Sequence, residues 1–75
     1  MHIDHELDVR GLVCPLPILR TKQSLAKMDS GQTLRITATD PASVIDFQVF
    51  SDQTANELLF MSEIAGEFVF ILKKK

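Results

Sequence analysis

The sequence predicts an α+β fold: a two-layer α/β sandwich in the order β-α-β-α-β-β, with a mixed four-stranded sheet and two helices on one face. Three observations carry this. Two segments alternate polar and apolar residues with the period of a strand, two others open on prolines suited to a helix's first turn, and the C-terminal third holds two β-rich runs around an Ala-Gly turn.

Taken in order, "HELDV" sets His5, Leu7 and Val9 against Glu6 and Asp8, the pattern of a strand with one buried face. Gly11 permits a turn, and a helix is predicted from Pro15 to about Met28, stopped by Asp29–Gly31. On a helical wheel Ile18, Thr21, Leu25 and Met28 fall together, with Leu19 and Ala26 widening the apolar arc and Arg20, Gln23, Ser24 and Lys27 opposite. Thr33 to Thr39 alternates and is β-branched, a second strand. Asp40 is placed to cap the next helix with Pro41 at its first position, and that helix should run from about Ala42 to Gln53, with Asn56 taking a left-handed turn. "ELLFMSEI" and "EFVFILKK" around Ala65-Gly66 complete the order as a hairpin. Strand-helix-strand favours parallel pairing and the hairpin antiparallel pairing, hence a mixed sheet, and two helices cover one face of four strands more readily than both.

The chain's 75 residues have room for a single domain, 1–75, and a fold of this size buries only roughly 60% of the surface its unfolded chain exposes. A composition 45% hydrophobic and 24% charged is that of a globular chain. One cysteine forms no internal disulfide, and no zinc-type spacing is present. No cofactor or metal site is expected. "MHIDHELD" lacks the apolar stretch of a secretory signal and no run is long enough to span a membrane, so a reducing cytoplasm is the expected setting. A net charge of −2 argues against direct nucleic-acid binding through phosphate neutralisation. The expected partners are proteins, and the expected state is a monomer.

The informative stretch is "GLVCPLPIL", Gly11 to Leu19. If the helix begins at Pro15, Cys14 is its N-cap and Pro17 lies in the first turn, where amide hydrogens lack intrahelical acceptors. The prolines fix their own φ and restrict Cys14 and Leu16, so the junction is stiff and the sulfur held in place. The helix end favours a thiolate by about 0.3–1 kcal/mol, less than one pKa unit, and Arg10 is a second candidate activator, so Cys14 is expected to titrate mildly below its reference of about 8.5. His5 lies roughly 16 Å back along the strand, at about 3.3 Å per residue, which argues against a Cys–His dyad. With no general base nearby, the chemistry that fits is a sulfur that accepts and passes on a group. Persulfide transfer meets that description.

On "LDVRGLVCPLPIL", Leu7 to Leu19, the chain resembles the TusA/SirA-like family of small sulfur carrier proteins, and the likeness continues through "DPASVID" to the closing hairpin, Leu7 to Lys73. The resemblance implies the β-α-β-α-β-β sandwich and a persulfide on Cys14, received from a cysteine desulfurase or rhodanese-type donor. The acceptor would be a downstream protein in tRNA thiolation, molybdenum cofactor work or sulfur-compound metabolism. Such a protein is a sulfurtransferase-type carrier more than a stand-alone turnover enzyme. Two departures stand out: "DFQVF" keeps Asp46 and Phe50 but lacks the Pro-Gly break many relatives carry, which predicts a continuous second helix, and Val13 replaces the arginine some relatives place before the cysteine.

Blander readings stand beside these. Cys14 could be an inert small hydrophobe, Lys22 a lysine snorkelling out of the apolar arc or one aimed at a ligand, and Asp40 a plain cap. Asp46 reads as a solvated or structural carboxylate, "HIDH" as solvated histidines or a metal hint, and Lys73–Lys75 as a solvated tail or a dock for an acidic partner. Val44, Ile45, Phe47, Val49 and Phe50 make the second helix apolar over much of its circumference, either wholly buried or leaving a patch for a partner. The rival functions are a non-catalytic interaction module, for instance on a sulfur-compound permease, and, from fold analogy alone, an RNA-binding domain.

Overall fold

A computed structural model describes residues 2–75 and has the expected order: β1 (His5–Val9), α1 (Leu16–Ala26), β2 (Thr33–Ala38), α2 (Ser43–Thr54), β3 (Glu57–Ile64) and β4 (Glu67–Lys73). The strands lie β1-β2-β4-β3. β1 and β2 are parallel, as a crossover through α1 requires, while β4 runs antiparallel to both neighbours.

Both helices cover one face. Leu34, Ile36 and Ala38 of β2 and Phe68, Phe70 and Leu72 of β4 alternate toward it and are buried in one cluster with Leu25, Met28, Phe47 and Phe50. Phe47 stacks on Phe70 at 4.4 Å between ring centroids. α1 lies over β1 and β2, α2 over β3 and β4, and the two helices touch. The α2 helix is continuous, as its missing Pro-Gly break predicts. No helix among the described residues is long and apolar enough to cross a membrane.

Several boundaries and faces differ from expectation. α1 starts at Leu16 with Pro15 as its N-cap, so Cys14 lies one residue outside the cap, and the Cys14–Pro15 peptide bond is cis. The helix ends at Ala26, although Met28 remains buried. Its buried stripe is Pro17, Thr21 and Leu25, spaced four apart, which leaves Leu19 and Ala26 on the exposed flank. Thr21 tolerates full burial because its hydroxyl donates to the Pro17 carbonyl at 2.8 Å. α2 begins at Ser43, two residues later than Pro41, because Asp40 first closes a turn through Ser43 N–H to Asp40 O at 2.9 Å. The left-handed residue after α2 is Ala55 at φ 61°, while Asn56 is occupied by Thr54 and Ser51, its side-chain amide donating to Thr54 Oγ1 at 2.9 Å. The β3 ladder slips between Leu58 and Phe60, a bulge on the edge strand. His5 is exposed at the start of β1, where Nε2 meets Gln32 Oε1 at 3.3 Å.

The terminal lysines are not a uniform solvated tail. Lys74 is half-buried and its Nζ donates to the Met28 carbonyl at 2.9 Å and to the Leu25 carbonyl, which also accepts Met28 N–H, so a cation sits where the helix end is negative. Lys74→Met is therefore expected to cost about 1–2 kcal/mol in denaturant unfolding. Lys73→Met, at an exposed position, is expected to stay within about 0.5 kcal/mol of the parent. Equal midpoints for the two variants would show that Lys74 does not cap α1.

Candidate functional site

Because β1 and β2 are parallel neighbours, the loops that leave their C-terminal ends emerge side by side at one end of the sheet and lead into α1 and α2. The loop after β1 is stitched to the loop after β2 by two bonds. Gly11 N–H donates to Thr39 Oγ1 at 2.9 Å, and Cys14 N–H donates to Asp40 Oδ2 at 2.8 Å. Gly11 takes φ 81°, a backbone region in which a side chain is strained. The second Asp40 oxygen accepts Ala42 N–H at 3.1 Å, so one carboxylate ties the cysteine loop to the entry of α2.

Cys14 is an exposed free thiol at one end of a groove between the helices. The groove has a volume of about 310 Å³ and is lined from α1 by Pro15, Ile18 and Lys22 and from α2 by Asp46, Val49 and Phe50. Val49 of the lining is itself exposed, and so are apolar residues next in the chain to lining residues: Val13 is 65% exposed and Ile45 68%, with Leu16 and Leu19 also exposed. The two readings of α2 resolve accordingly. Phe47 and Phe50 face the sheet, and Ile45 and Val49 form an exposed patch.

Of the residues the sequence singled out, Cys14 and Pro15 line the groove, Gly11 makes the turn that delivers them, and Pro17 is buried beneath α1. Arg10 does not join them. Its guanidinium grips Asp8, with Nε to Oδ1 at 3.0 Å and Nη2 to Oδ2 at 3.0 Å, and reaches Glu67 at 3.5 Å. Hydrogen bonding from the Arg10 side chain and backbone pulls the Asp8 carboxyl down to about 2, so the pair stays charged throughout the neutral range and Arg10 remains engaged there.

The Cys14 thiol also departs from expectation, in the opposite direction. It is pushed above its ordinary value, first by side-chain hydrogen bonding to Asp46, then by the partial desolvation of the sulfur, then by the negative charges of Asp46 and Asp40. The field of one helix end is smaller than the effect of a carboxylate beside the sulfur. Asp46, read from sequence as a solvated or structural carboxylate, and Lys22, read as a snorkelling lysine or one aimed at a ligand or partner, both line the groove. The signal for Lys22 was its position inside an apolar arc. For Asp46 it was the helical spacing that aligns it with Val49, Phe50 and Gln53.

The family model described as Sulfurtransferase TusA matches residues 5–74. The chain is 56% identical over 71 residues to a protein named Sulfur carrier protein TusA from Allochromatium vinosum, covering 95% of this chain and 93% of that one. It is 48% identical to a putative sulfur carrier protein from Neisseria meningitidis serogroup A, covering 92% and 93% of the two chains. In fold it is similar to the crystal structure of a SirA-like protein from Desulfitobacterium hafniense, with a TM-score of 0.80 over 92% of this chain and 95% of that one at 20% identity. With a family model matched from the first strand to the last and more than half of its residues shared with a named member, the chain belongs to the TusA family.

Proposed function

We propose that the protein is a sulfur carrier in which Cys14 holds a sulfane sulfur as a persulfide. It would receive that sulfur from a donor such as a cysteine desulfurase or rhodanese and relay it to a downstream acceptor protein. The observation that carries this reading is a free, exposed thiol whose backbone is pinned by Asp40 at the mouth of a groove rimmed with exposed apolar residues. A partner can cover such a rim, and a fixed sulfur meets it in one geometry.

The transfer balances without an added oxidant or reductant. The Cys14 thiolate attacks the outer sulfur of the donor's persulfide, and a new S–S bond forms to Cys14. The S–S bond within the donor breaks, its electron pair leaves on the donor's cysteine sulfur, and the proton lost by Cys14 ends on that thiolate. The same exchange run onward unloads the carrier. Pro15 and Pro17 hold the junction, and Gly11 sets the turn before it. Arg10 supports the loop by its pairing with Asp8 and Glu67.

Incubation with a cysteine desulfurase and cysteine is expected to add one sulfur atom to the protein, read by intact-protein mass spectrometry. Cys14→Ser should abolish the adduct and leave the fold intact, since the side chain is exposed. A wild-type protein that stays unlabelled with both a desulfurase and a rhodanese donor would overturn the carrier reading in favour of a non-catalytic interaction module using the same apolar rim.

A further inference from the structure

Besides the cysteine, the groove contains one carboxylate and one ammonium on opposite walls: Asp46 in the first turn of α2 and Lys22 on α1. Neither is consumed elsewhere. Among the described residues no carboxylate, Asp46 included, stands within ion-pair distance of Lys22. The remaining charges nearby are committed: both Asp40 oxygens accept backbone amides, and Arg10 is held by Asp8 and Glu67.

Resting on the reading of Cys14 as the sulfur-bearing residue, we propose that this pair tells the empty carrier from the loaded one: Asp46 holds the proton of the unloaded thiol, and Lys22 takes the charged outer sulfur of the persulfide. The argument is electrostatic. Asp46 lines the same groove as Cys14, and a carboxylate there disfavours a second negative charge and offers an acceptor to S–H, so the empty carrier keeps a neutral, weakly nucleophilic thiol. A persulfide is a stronger acid than a thiol and ionises where the thiol does not. Its charge sits one S–S bond farther out, about 2 Å from the inner sulfur. It is repelled by Asp46 and drawn to the one unpaired cation lining the groove. Loading thereby reorients the reactive atom from one wall to the other. The empty protein resists stray oxidation and alkylation, and the loaded protein presents an anion in a defined direction.

The test follows the pH dependence of iodoacetamide alkylation, resolved by intact mass, on the unloaded protein and on protein loaded with inorganic polysulfide. Wild type, Asp46→Asn and Lys22→Gln are compared, with circular dichroism to confirm the fold. Asp46→Asn is expected to move the thiol midpoint down and raise the neutral-pH alkylation rate of the unloaded protein several-fold, while Asp46→Glu keeps the wild-type direction. Lys22→Gln is expected to move the persulfide midpoint up by more than it moves the thiol midpoint. An unmoved thiol midpoint in Asp46→Asn overturns the role of Asp46, and equal shifts of thiol and persulfide in Lys22→Gln overturn the role of Lys22. If polysulfide adds no sulfur, the protein is loaded with a desulfurase and cysteine or with a rhodanese donor instead; a wild-type protein that none of these loads overturns the carrier reading and the Lys22 assignment with it, whereas the thiol profile alone decides Asp46.

Discussion

Phe47→Ala is expected to be the most damaging substitution of an α2 side chain, costing about 3–5 kcal/mol in urea unfolding. Phe47 is fully buried at the centre of the helix-sheet interface and stacks on Phe70, so truncation removes a large apolar surface and opens a cavity between two elements. A chain of 75 residues has a total stability of only about 4–11 kcal/mol at roughly 0.05–0.15 kcal/mol per residue. A large share of the folded population would therefore be lost, and the family's sulfur chemistry with it. Phe47→Leu keeps most of the volume and is expected to cost markedly less. An Ala variant whose midpoint and slope match the wild type would show that Phe47 does not bridge α2 and the sheet.

Asp40→Ala is the second large effect, and it couples stability to the site. The carboxylate accepts amides from both Cys14 and Ala42, the first joining two loops that are 26 residues apart in sequence. Losing both bonds is expected to cost about 1–3 kcal/mol and to leave the Cys14 amide without its acceptor. The measurable consequences are a lower denaturant midpoint and faster hydrogen exchange at the Cys14 and Ala42 amides. Under the proposed function, sulfur loading from the donor slows as well. Asp40→Asn tests the geometry more finely. Its single carbonyl oxygen can replace only one acceptor while its NH2 meets the other amide, so one of the two amides should lose protection and the other keep it. If both stay protected in Asp40→Ala, the carboxylate is not the tie between the loops.

The reversal at Cys14 carries a more general lesson about what a sequence can convey. Its position at a strand-to-helix junction, stiffened by Pro15 and Pro17, follows from local rules: proline geometry, free amides in a helix's first turn, and a glycine where the chain must turn. The electrostatics of the same sulfur do not, because the governing charge comes from a residue 32 positions later. Arg10 illustrates the complementary error. Being near Cys14 in sequence, it was a natural candidate for an activator, yet its side chain turns to Asp8 two residues back and to Glu67 on β4. Charge neighbours are set by which elements stand side by side.

By itself, the sequence determined the element order, the mixed sheet, the continuous α2 and the placing of one cysteine at a rigid junction. All of these rest on interactions within a few residues or on periodicities of two and 3.6 that any backbone of this kind obeys. Only the tertiary structure decided the strand order β1-β2-β4-β3, the roll that buries Pro17, Thr21 and Leu25 while exposing Leu19, the capping of α1 by Lys74, and the meeting of Cys14, Lys22 and Asp46 in one groove. Periodicity states which residues share a face of a helix but not which neighbour that face meets. The azimuth of each helix is set by the packing of the whole two-layer core, and the chemistry of the groove follows from that azimuth.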